Sequence, residues 1–275
     1  MNILVTGHRG FIGSHIVKAL AGHNVSTFEW GDPYPGVMDL DWVIHIGAIS
    51  STVEQDIDKV LRQNYDFSVN LYEDCKTFGV NFQYSSSASL YGLKSTFKET
   101  DKIDPKTPYA WSKYLFERYV DRHPSGSIVQ GFRYFNVYGN NEEHKKNQAS
   151  PVTQFRQQAR DNGIIRLFEN SDQYLRDFVC VEDVVDVHLQ FLNSVADSGV
   201  WNVGTGNTTS FEDIARMISA QQGVAMEYID MPDILKNSYQ TYTCADLTKL
   251  NSTIGLKKWT SVAEWLNYKN TTIDG

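Results

Sequence analysis

Two hydrophobic periods alternate along the first half of the chain. Short apolar runs at residues 3–5, 25–28, 42–46, 82–85 and 128–132 have the length and character of strands buried on both faces. The first breaks at Gly7, the third at Gly47-Ala48, and the fourth runs out in serines. Helical spacings lie between them. Ile12, Ile16, Val17 and Leu20 follow the first run, and Val60, Asn64, Phe67, Leu71, Cys75 and Phe78, at steps of four and three, predict a long helix over 54–78. Residues 108–119 read as a helix entered through Pro108 near its first turn. Strands alternating with helices predict an α/β fold whose parallel sheet is covered on both faces.

After about residue 140 the alternation weakens. A polar stretch with Lys145 and Lys146 precedes a helix over 152–160, strand-like 178–181 leads into a helix over 183–192, and from Trp201 onward the elements are short and mixed. This predicts a larger lobe of 1–140 with about 174–200 returning to it, and a smaller C-terminal lobe of about 141–173 and 201–275. Residues 30–41 contain Gly31, Pro33, Pro35 and Gly36 and leave no room for a crossover helix, let alone a further strand. The sheet is therefore expected to lack one helix–strand unit.

Composition excludes several classes. The 275 residues, 41% hydrophobic and 21% charged, can bury an ample core. A net charge of -8 argues against a nucleic-acid partner. No apolar run approaches the roughly 20 residues of a membrane span, and the N-terminus enters a strand without a charged leader. Three scattered cysteines form neither a disulfide framework nor a zinc knuckle, and seven histidines show no ligand spacing, so no metal is expected. A soluble, cytoplasmic protein is the expectation.

Four features carry candidate chemistry. Gly7-His8-Arg9-Gly10-Phe11-Ile12-Gly13 lies between a predicted strand and helix, where glycines let the backbone approach a pyrophosphate and a helix N-terminus attracts anions. Its Gly-x-x-Gly-x-x-Gly spacing leaves a plain tight turn as the alternative. Tyr109 and Lys113, four apart, place a phenol and an ammonium on one helix face. A tyrosine with a pKa of about 10 needs a fall of roughly 3 units to act as a base near neutrality. One cation about 4 Å away, at an effective dielectric near 20, supplies roughly that much; an ordinary surface pair is the alternative. Among Ser85, Ser86 and Ser87, at a strand's C-terminal end, a hydroxyl can bond a substrate oxygen and help hand its proton to the phenol, unless the serines merely end the strand. Asn64, an amide inside an apolar stripe, must be satisfied by a cofactor or by a neighbouring loop. Two residues speak to the cofactor and conflict. Glu29, after the second strand, would accept from a ribose 2′-hydroxyl and favour NAD, whereas Arg9 could pair with a 2′-phosphate and favour NADP.

In this order, Gly7, Gly10, Gly13, Ser87, Tyr109 and Lys113 resemble the extended short-chain dehydrogenase/reductases, the superfamily of nucleotide-sugar epimerases and dehydratases. Stretches 47–52, 132–139, 144–145, 176–179, 202–206 and 239–240 are similar to the ADP-glycero-manno-heptose 6-epimerase family along nearly the whole chain. The resemblance implies a Rossmann-like sheet, a dinucleotide-binding larger lobe, a nucleotide-sugar-binding smaller lobe and an NAD(P)-dependent epimerase working through a transient keto-sugar. It tips the cofactor toward NADP. It implies catalytic roles for Ser87, Tyr109 and Lys113, with Lys145 as a second base. Cofactor contacts would fall at Gly7, Arg9, Gly10, Phe11, Ile12, Gly13, Glu29, Gly47, Ala48, Asn64, Tyr109 and Lys113. Substrate contacts would fall at Ser87, Asn136, Lys145, Arg176 (at the phosphates) and Tyr239 (near the nucleotide).

Epimerisation needs chemistry on opposite faces of one carbon, which two acid/base groups can supply. By residue type alone, Lys145-Lys146 reads first as a solvated charge cluster. Another nucleotide-sugar 4-epimerase, a reductase and a non-catalytic dinucleotide-binding scaffold are the alternatives. A dehydratase is disfavoured, because Ser87 is followed by Ala88-Ser89-Leu90 instead of an Asp-Glu pair. Helices beside a parallel-sheet edge form dimer seams in this superfamily, which makes a homo-oligomer a candidate state.

Overall fold

A computed structural model describes residues 1–51, 54–194, 197–232 and 240–271. They form two compact units: Met1–Gly92, Glu99–Tyr134 and Val185–Asn202 in one, Leu93–Lys98, Phe135–Val184 and Val203–Gly275 in the other.

The first unit is built on a parallel sheet. Strands β1 (Asn2–Thr6), β2 (Asn24–Phe28), β3 (Trp42–His45), β4 (Asn81–Ser87) and β5 (Val129–Tyr134) pair in parallel. With Gly199–Val203 they make six strands in the order Gly199–Val203, β5, β4, β3, β1, β2. The inner strands are buried along nearly their whole length, which is why they read as continuous apolar runs. Leu4, Val43, Leu71, Phe82 and Phe116 pack in one cluster, and Ile3, Val5, Ile16, Ile44 and Val185 in another. Because β2 lies on one side of β1 and β3 on the other, the chain reverses direction across the sheet there. That leaves a crevice beyond the C-terminal ends of β1 and β3.

The expected loss of a helix–strand unit holds: residues 29–41 contain neither helix nor strand, and β2 forms the sheet edge. An aromatic group fills the space. Phe28 stacks on Phe67 at 5.2 Å, Trp30 meets Phe67 edge-on at 5.8 Å, and the Tyr34 hydroxyl donates to Asp74 at 2.8 Å.

The long helix differs from its prediction. It begins at Ile57, where the Asp56 side chain accepts the Lys59 N–H, and runs as Ile57–Val60, a π-helical turn Leu61–Asp66, and Phe67–Phe78. The wider turn shifts the helical phase, so Ser68 and Tyr72 join Leu71 and Cys75 in the buried face while Phe78 is exposed.

The boundaries between the units also differ from those read from the sequence. They fall at 135 and 185, not at 140 and 174, and residues 93–98 go with the second unit. The cause is a strand pairing the polar pattern hides: Asn136–Tyr138 runs parallel to Phe178–Cys180, drawing both segments into the second unit. That unit's core gathers Tyr138, Phe155, Ile165, Phe178, Ile214 and Trp265, beside a parallel pair of strands, Ile164–Phe168 and Ala225–Ile229. Among the described residues, no helix is long and apolar enough to cross a membrane.

Two buried histidines brace the first unit's sheet. His45 bonds Thr6 Oγ1 at 2.6 Å and Ser68 Oγ at 2.7 Å; His188 bonds the Tyr134 hydroxyl at 2.5 Å and Gln83 Oε1 at 2.7 Å. Burial pushes both imidazoles down to about 3, with the Lys113 charge adding to the effect at His45. Both are thus neutral when folded, while the unfolded chain takes up protons below pH ~6.5. Stability should therefore fall as pH drops from about 6.5 toward 3, by about 1.4 kcal/mol per pH unit for each histidine. Urea unfolding at pH 7, 6 and 5 checks this, and His188→Gln should flatten the slope by one histidine's share.

Candidate active site

At the end of β1 the chain turns through three glycines. Gly7 has φ +72°, and its N–H donates to Phe28 O at 2.9 Å. A Cβ on Gly13 would lie 2.1 Å from Gly7 O, and one on Gly7 would lie 2.5 Å from Gly47 Cα. Only glycine permits this approach. Helix Phe11–Ala19 follows, with Gly10 at its cap position and no side-chain cap, so its first N–H groups remain available for an anion. Phe11 is buried and Ile12 packs against the core, leaving backbone N–H groups as their means of contact. His8 Nδ1 is buried with no hydrogen-bond partner among the described residues. Beside the turn, a cleft of about 90 Å³ is lined by Gly7, Glu29, Trp30, Gly47, Ala48 and Phe67, among others. Aromatic walls, a carboxylate and a glycine turn suit the adenosine-diphosphate half of a dinucleotide.

Two residues expected at the cofactor bond other groups of the protein. Arg9 is paired with an acid. Its exposed guanidinium pairs with Asp32 at 3.3 Å, while its N–H donates to Glu29 Oε2, also at 3.3 Å. Two carboxylates thus flank the one arginine, and the lean toward NADP finds no support. Asn64 bonds a neighbouring loop, one of the two alternatives its residue type left open. Its Oδ1 accepts the Ile49 N–H at 2.7 Å, and its Nδ2 donates to Ile49 O at 2.9 Å and Ser112 Oγ at 3.1 Å. Sitting in the π-helical turn, Asn64 ties the loop after β3 to the helix that carries Tyr109 and Lys113.

That helix, Pro108–Arg122, starts at Thr107, whose side chain accepts the Ala110 N–H. It meets β4 through three successive serines. Ser87 bonds the Tyr109 phenol. Ser85 accepts from Lys113 Nζ through both its carbonyl, at 2.9 Å, and its hydroxyl, at 3.0 Å. Ser86 donates to Glu117 Oε1 at 2.5 Å. Of the three serines, Ser87 alone was the expected site residue, and Glu117 was not expected there. The detectable signal was the continuation of the Tyr109, Lys113 spacing by four more residues.

The electrostatics differ from the expected lysine-driven fall of the phenol. Burial raises the Tyr109 pKa, opposed by its bond to Ser87. Burial lowers Lys113 to about 8, opposed by the Glu117 charge. The ammonium is held by Ser85, and Ser87 is the partner that favours phenolate.

The remaining candidates lie in the second unit. Lys145 is half-buried in the turn Glu143–Gln148 and lies 3.6 Å from Glu142, while Lys146 is exposed. Glu142 is fully buried and accepts from Ser150 N at 2.7 Å, Ser150 Oγ at 2.6 Å and Thr153 Oγ1 at 2.8 Å. The solvated-cluster alternative thus describes Lys146 and not Lys145. Arg176 is buried over the Phe211 ring and donates to the carbonyls of Leu175 and Gln240. Asn136 Nδ2 donates to Asp177 O and Thr243 Oγ1. Tyr239 lies outside the described residues. A cleft of about 520 Å³, which the sequence did not disclose, is lined by Phe155, Leu167, Phe168 and Phe211 with Gln154, Gln158 and Arg166 among its polar residues.

The chain matches the NAD dependent epimerase/dehydratase family over residues 3–33 and 34–204. It is 34% identical to the ADP-L-glycero-D-manno-heptose-6-epimerase of Brachyspira hyodysenteriae (strain ATCC 49526 / WA1) over 310 aligned positions, gaps included, which take in 95% of this chain and 98% of that protein. Among solved structures it is similar to the ADP-L-glycero-D-manno-heptose-6-epimerase of Helicobacter pylori, with a TM-score of 0.87 and 24% identity over 100% of this chain and 96% of that one. It is also similar to the UDP-glucose 4-epimerase of Thermus thermophilus in complex with NAD, with a TM-score of 0.83 and 25% identity over 100% and 99% of the two chains.

The glycine turn yields a direct prediction. Gly13→Ala places a methyl group against Gly7 O, so dinucleotide binding followed by calorimetry should disappear, with a loss of about 1–3 kcal/mol in stability as the turn is forced open.

Proposed function

The chain belongs to the NAD dependent epimerase/dehydratase family, and from that premise we propose a nucleotide-sugar epimerase that oxidises a carbinol of its substrate to a ketone and reduces it again with inverted configuration. The observation that carries the mechanism is the convergence of Ser87, Tyr109 and Lys113 at the C-terminal end of β4. In the glycine turn and the cleft beside it, Gly7, Gly10, Phe11, Ile12, Gly13, Glu29, Gly47 and Ala48 would hold NAD. NAD supplies the hydride acceptor and donor when bound.

Ser87 orients the substrate oxygen and, through its bond to Tyr109, aligns the phenol for the proton that leaves the hydroxyl on oxidation and returns on reduction. Lys113 keeps a positive charge beneath that exchange. Lys145, half-buried and set against Glu142, is the proposed second acid/base group for the opposite face. Asn136 and Arg176 remain proposed substrate contacts of the second unit.

The substrate proposed is an ADP-heptose or a close relative. Support comes from the Brachyspira relative and from the aromatic, amide-bearing 520 Å³ cleft, whose flat walls suit a nucleobase. Support for NAD over NADP comes from Glu29 at the Arg9 backbone N–H and Asp32 at its guanidinium, since both would repel a 2′-phosphate. Three free cysteines and the lack of a spanning helix among the described residues accord with a cytoplasmic enzyme.

Two measurements test this. A panel of nucleoside-diphosphate sugars, with ADP-D-glycero-D-manno-heptose first and UDP-glucose as the contrast, is incubated with the NAD-loaded enzyme and followed by NMR for inversion. ADP-heptose should be inverted, and Tyr109→Phe should lower kcat by about 10²–10⁴-fold. Unchanged turnover in that variant overturns the mechanism, and inversion of UDP-glucose alone overturns the substrate. NAD should bind at least about tenfold tighter than NADP, and Glu29→Ala should narrow the gap; equal affinities in the wild type overturn the cofactor choice.

A further inference from the structure

Glu117 is a carboxylate inside the protein, four residues after Lys113 on the same helix, and nothing in the proposed reaction requires it. It is 8% exposed, and its oxygens are clamped from two strands. Oε1 accepts from Ser86 Oγ at 2.5 Å and Arg133 Nε at 3.0 Å; Oε2 accepts from Arg133 Nη2 at 2.6 Å. Arg133 is itself braced, since its Nη1 donates to the Tyr91 hydroxyl at 2.9 Å and Glu99 O at 3.3 Å, and Tyr91 in turn donates to Asn202 at 2.7 Å. A buried ion pair of this kind is no better for stability than apolar side chains of the same size. Its placement needs another reason.

We propose that Glu117 is a positioning residue for the reaction: clamped by Arg133 and Ser86, it seats the Tyr109–Lys113–Glu117 face on Ser85–Ser87 and holds the buried Lys113 amine in its charged form. This rests on the reading of Tyr109 and Lys113 given above. The geometry ties one helix to one strand at three points. Tyr109, Lys113 and Glu117 follow at steps of four, and each meets one of three consecutive serines, so a slip of the helix along β4 would break all three contacts together. The charge argument follows from what surrounds Lys113. From β4 it meets the neutral Ser85 and from β3 the neutral His45, and one turn before it on its own helix stands Tyr109, whose pKa burial raises. Glu117 is the anion among these groups; Arg133 of β5 lies beyond it, and Tyr84 of β4 also feels its charge. Burial favours the neutral amine and Glu117 opposes it, leaving Lys113 near 8. Without that anion, much of the lysine would be uncharged at neutral pH.

The test uses the NAD-loaded enzyme, with lysines carrying 13C at Cε and the Lys113 resonance assigned by its loss in Lys113→Met. Glu117→Gln, nearly isosteric, should lower the Lys113 titration midpoint by about one to two pH units. Glu117→Asp keeps the charge and should leave the midpoint within about half a unit, whatever it does to kcat. Arg133→Gln leaves Glu117 unopposed and should move the midpoint upward, which carries the test if Glu117→Gln does not fold. With ADP-D-glycero-D-manno-heptose as probe, the lysine-controlled limb of the pH–kcat profile should follow the midpoint while KM stays within about threefold. A Glu117→Gln protein that titrates like wild type, or a Glu117→Asp protein that shifts as far, overturns the inference. Turnover lost in Tyr109→Phe with no shift in Glu117→Gln would sink this inference alone. A full shift in a protein that inverts no sugar would sink the reading on which it rests.

Discussion

The helix Pro108–Arg122 lies on β4 through polar groups that have nowhere else to go. Lys113 and Glu117 are both under 10% exposed, and Ser112 is fully buried. A buried ammonium or carboxylate without partners would be prohibitively costly, so the helix has one acceptable seat: the one in which Ser85 receives Lys113, Ser86 meets Glu117 and Asn64 meets Ser112. Apolar packing tolerates small shifts because it lacks direction. Hydrogen bonds between 2.5 and 3.1 Å do not. Polar burial therefore sets the register, and the surrounding core of Phe82, Phe116 and Tyr84 supplies the driving force.

The second constraint is the meeting of backbones where β1 and β3 end. Gly7 and Gly47 approach so closely that a Cβ on Gly7 would lie 2.5 Å from Gly47 Cα, which brings the glycine turn against the loop after β3. Asn64 links that loop onward to the Tyr109 helix, so the cradle for a cofactor and the acid/base face share one chain of contacts within the first unit. The shortened 29–41 segment fits this economy. An aromatic group of Phe28, Trp30, Tyr34 and Phe67 closes the sheet edge where a helix–strand unit would otherwise stand.

The first unit was legible in the sequence because its signals are local and strong. Strands buried on both faces give apolar runs, glycines mark a turn that no other residue can make, and Tyr109 and Lys113 lie on one helix. What escaped were consequences of tertiary contact. The π-helical turn shifts the stripe at Phe78, and the pairing of Asn136–Tyr138 with Phe178–Cys180 joins segments about 40 residues apart. Electrostatics escaped as well. Spacing placed an ammonium one turn from a phenol, but only the packed structure gives that ammonium to Ser85 and leaves Ser87 to the phenol.

Buried carboxylates recur at each place where separate segments must be held together. Asp177, next to Arg176, accepts the N–H groups of Thr205, Gly206 and Ala245 at 2.7, 2.9 and 3.0 Å, gathering two distant loops at one point. Glu142 does the same for the turn that carries Lys145, and Glu117 for the helix that carries Lys113. A carboxylate suits the task because it only accepts, offers about four lone-pair sites and forms charge-assisted bonds stronger than neutral ones. Burial raises the Asp177 pKa, and the bonds from Thr205, Ala245 and Gly206 oppose that rise. An asparagine at 177 would set an N–H against another N–H and leave a donor unmet, at about 1–3 kcal/mol. The acids that shape this protein are thus distinct from the residues proposed to react, and they act by making one arrangement of loops far cheaper than any other.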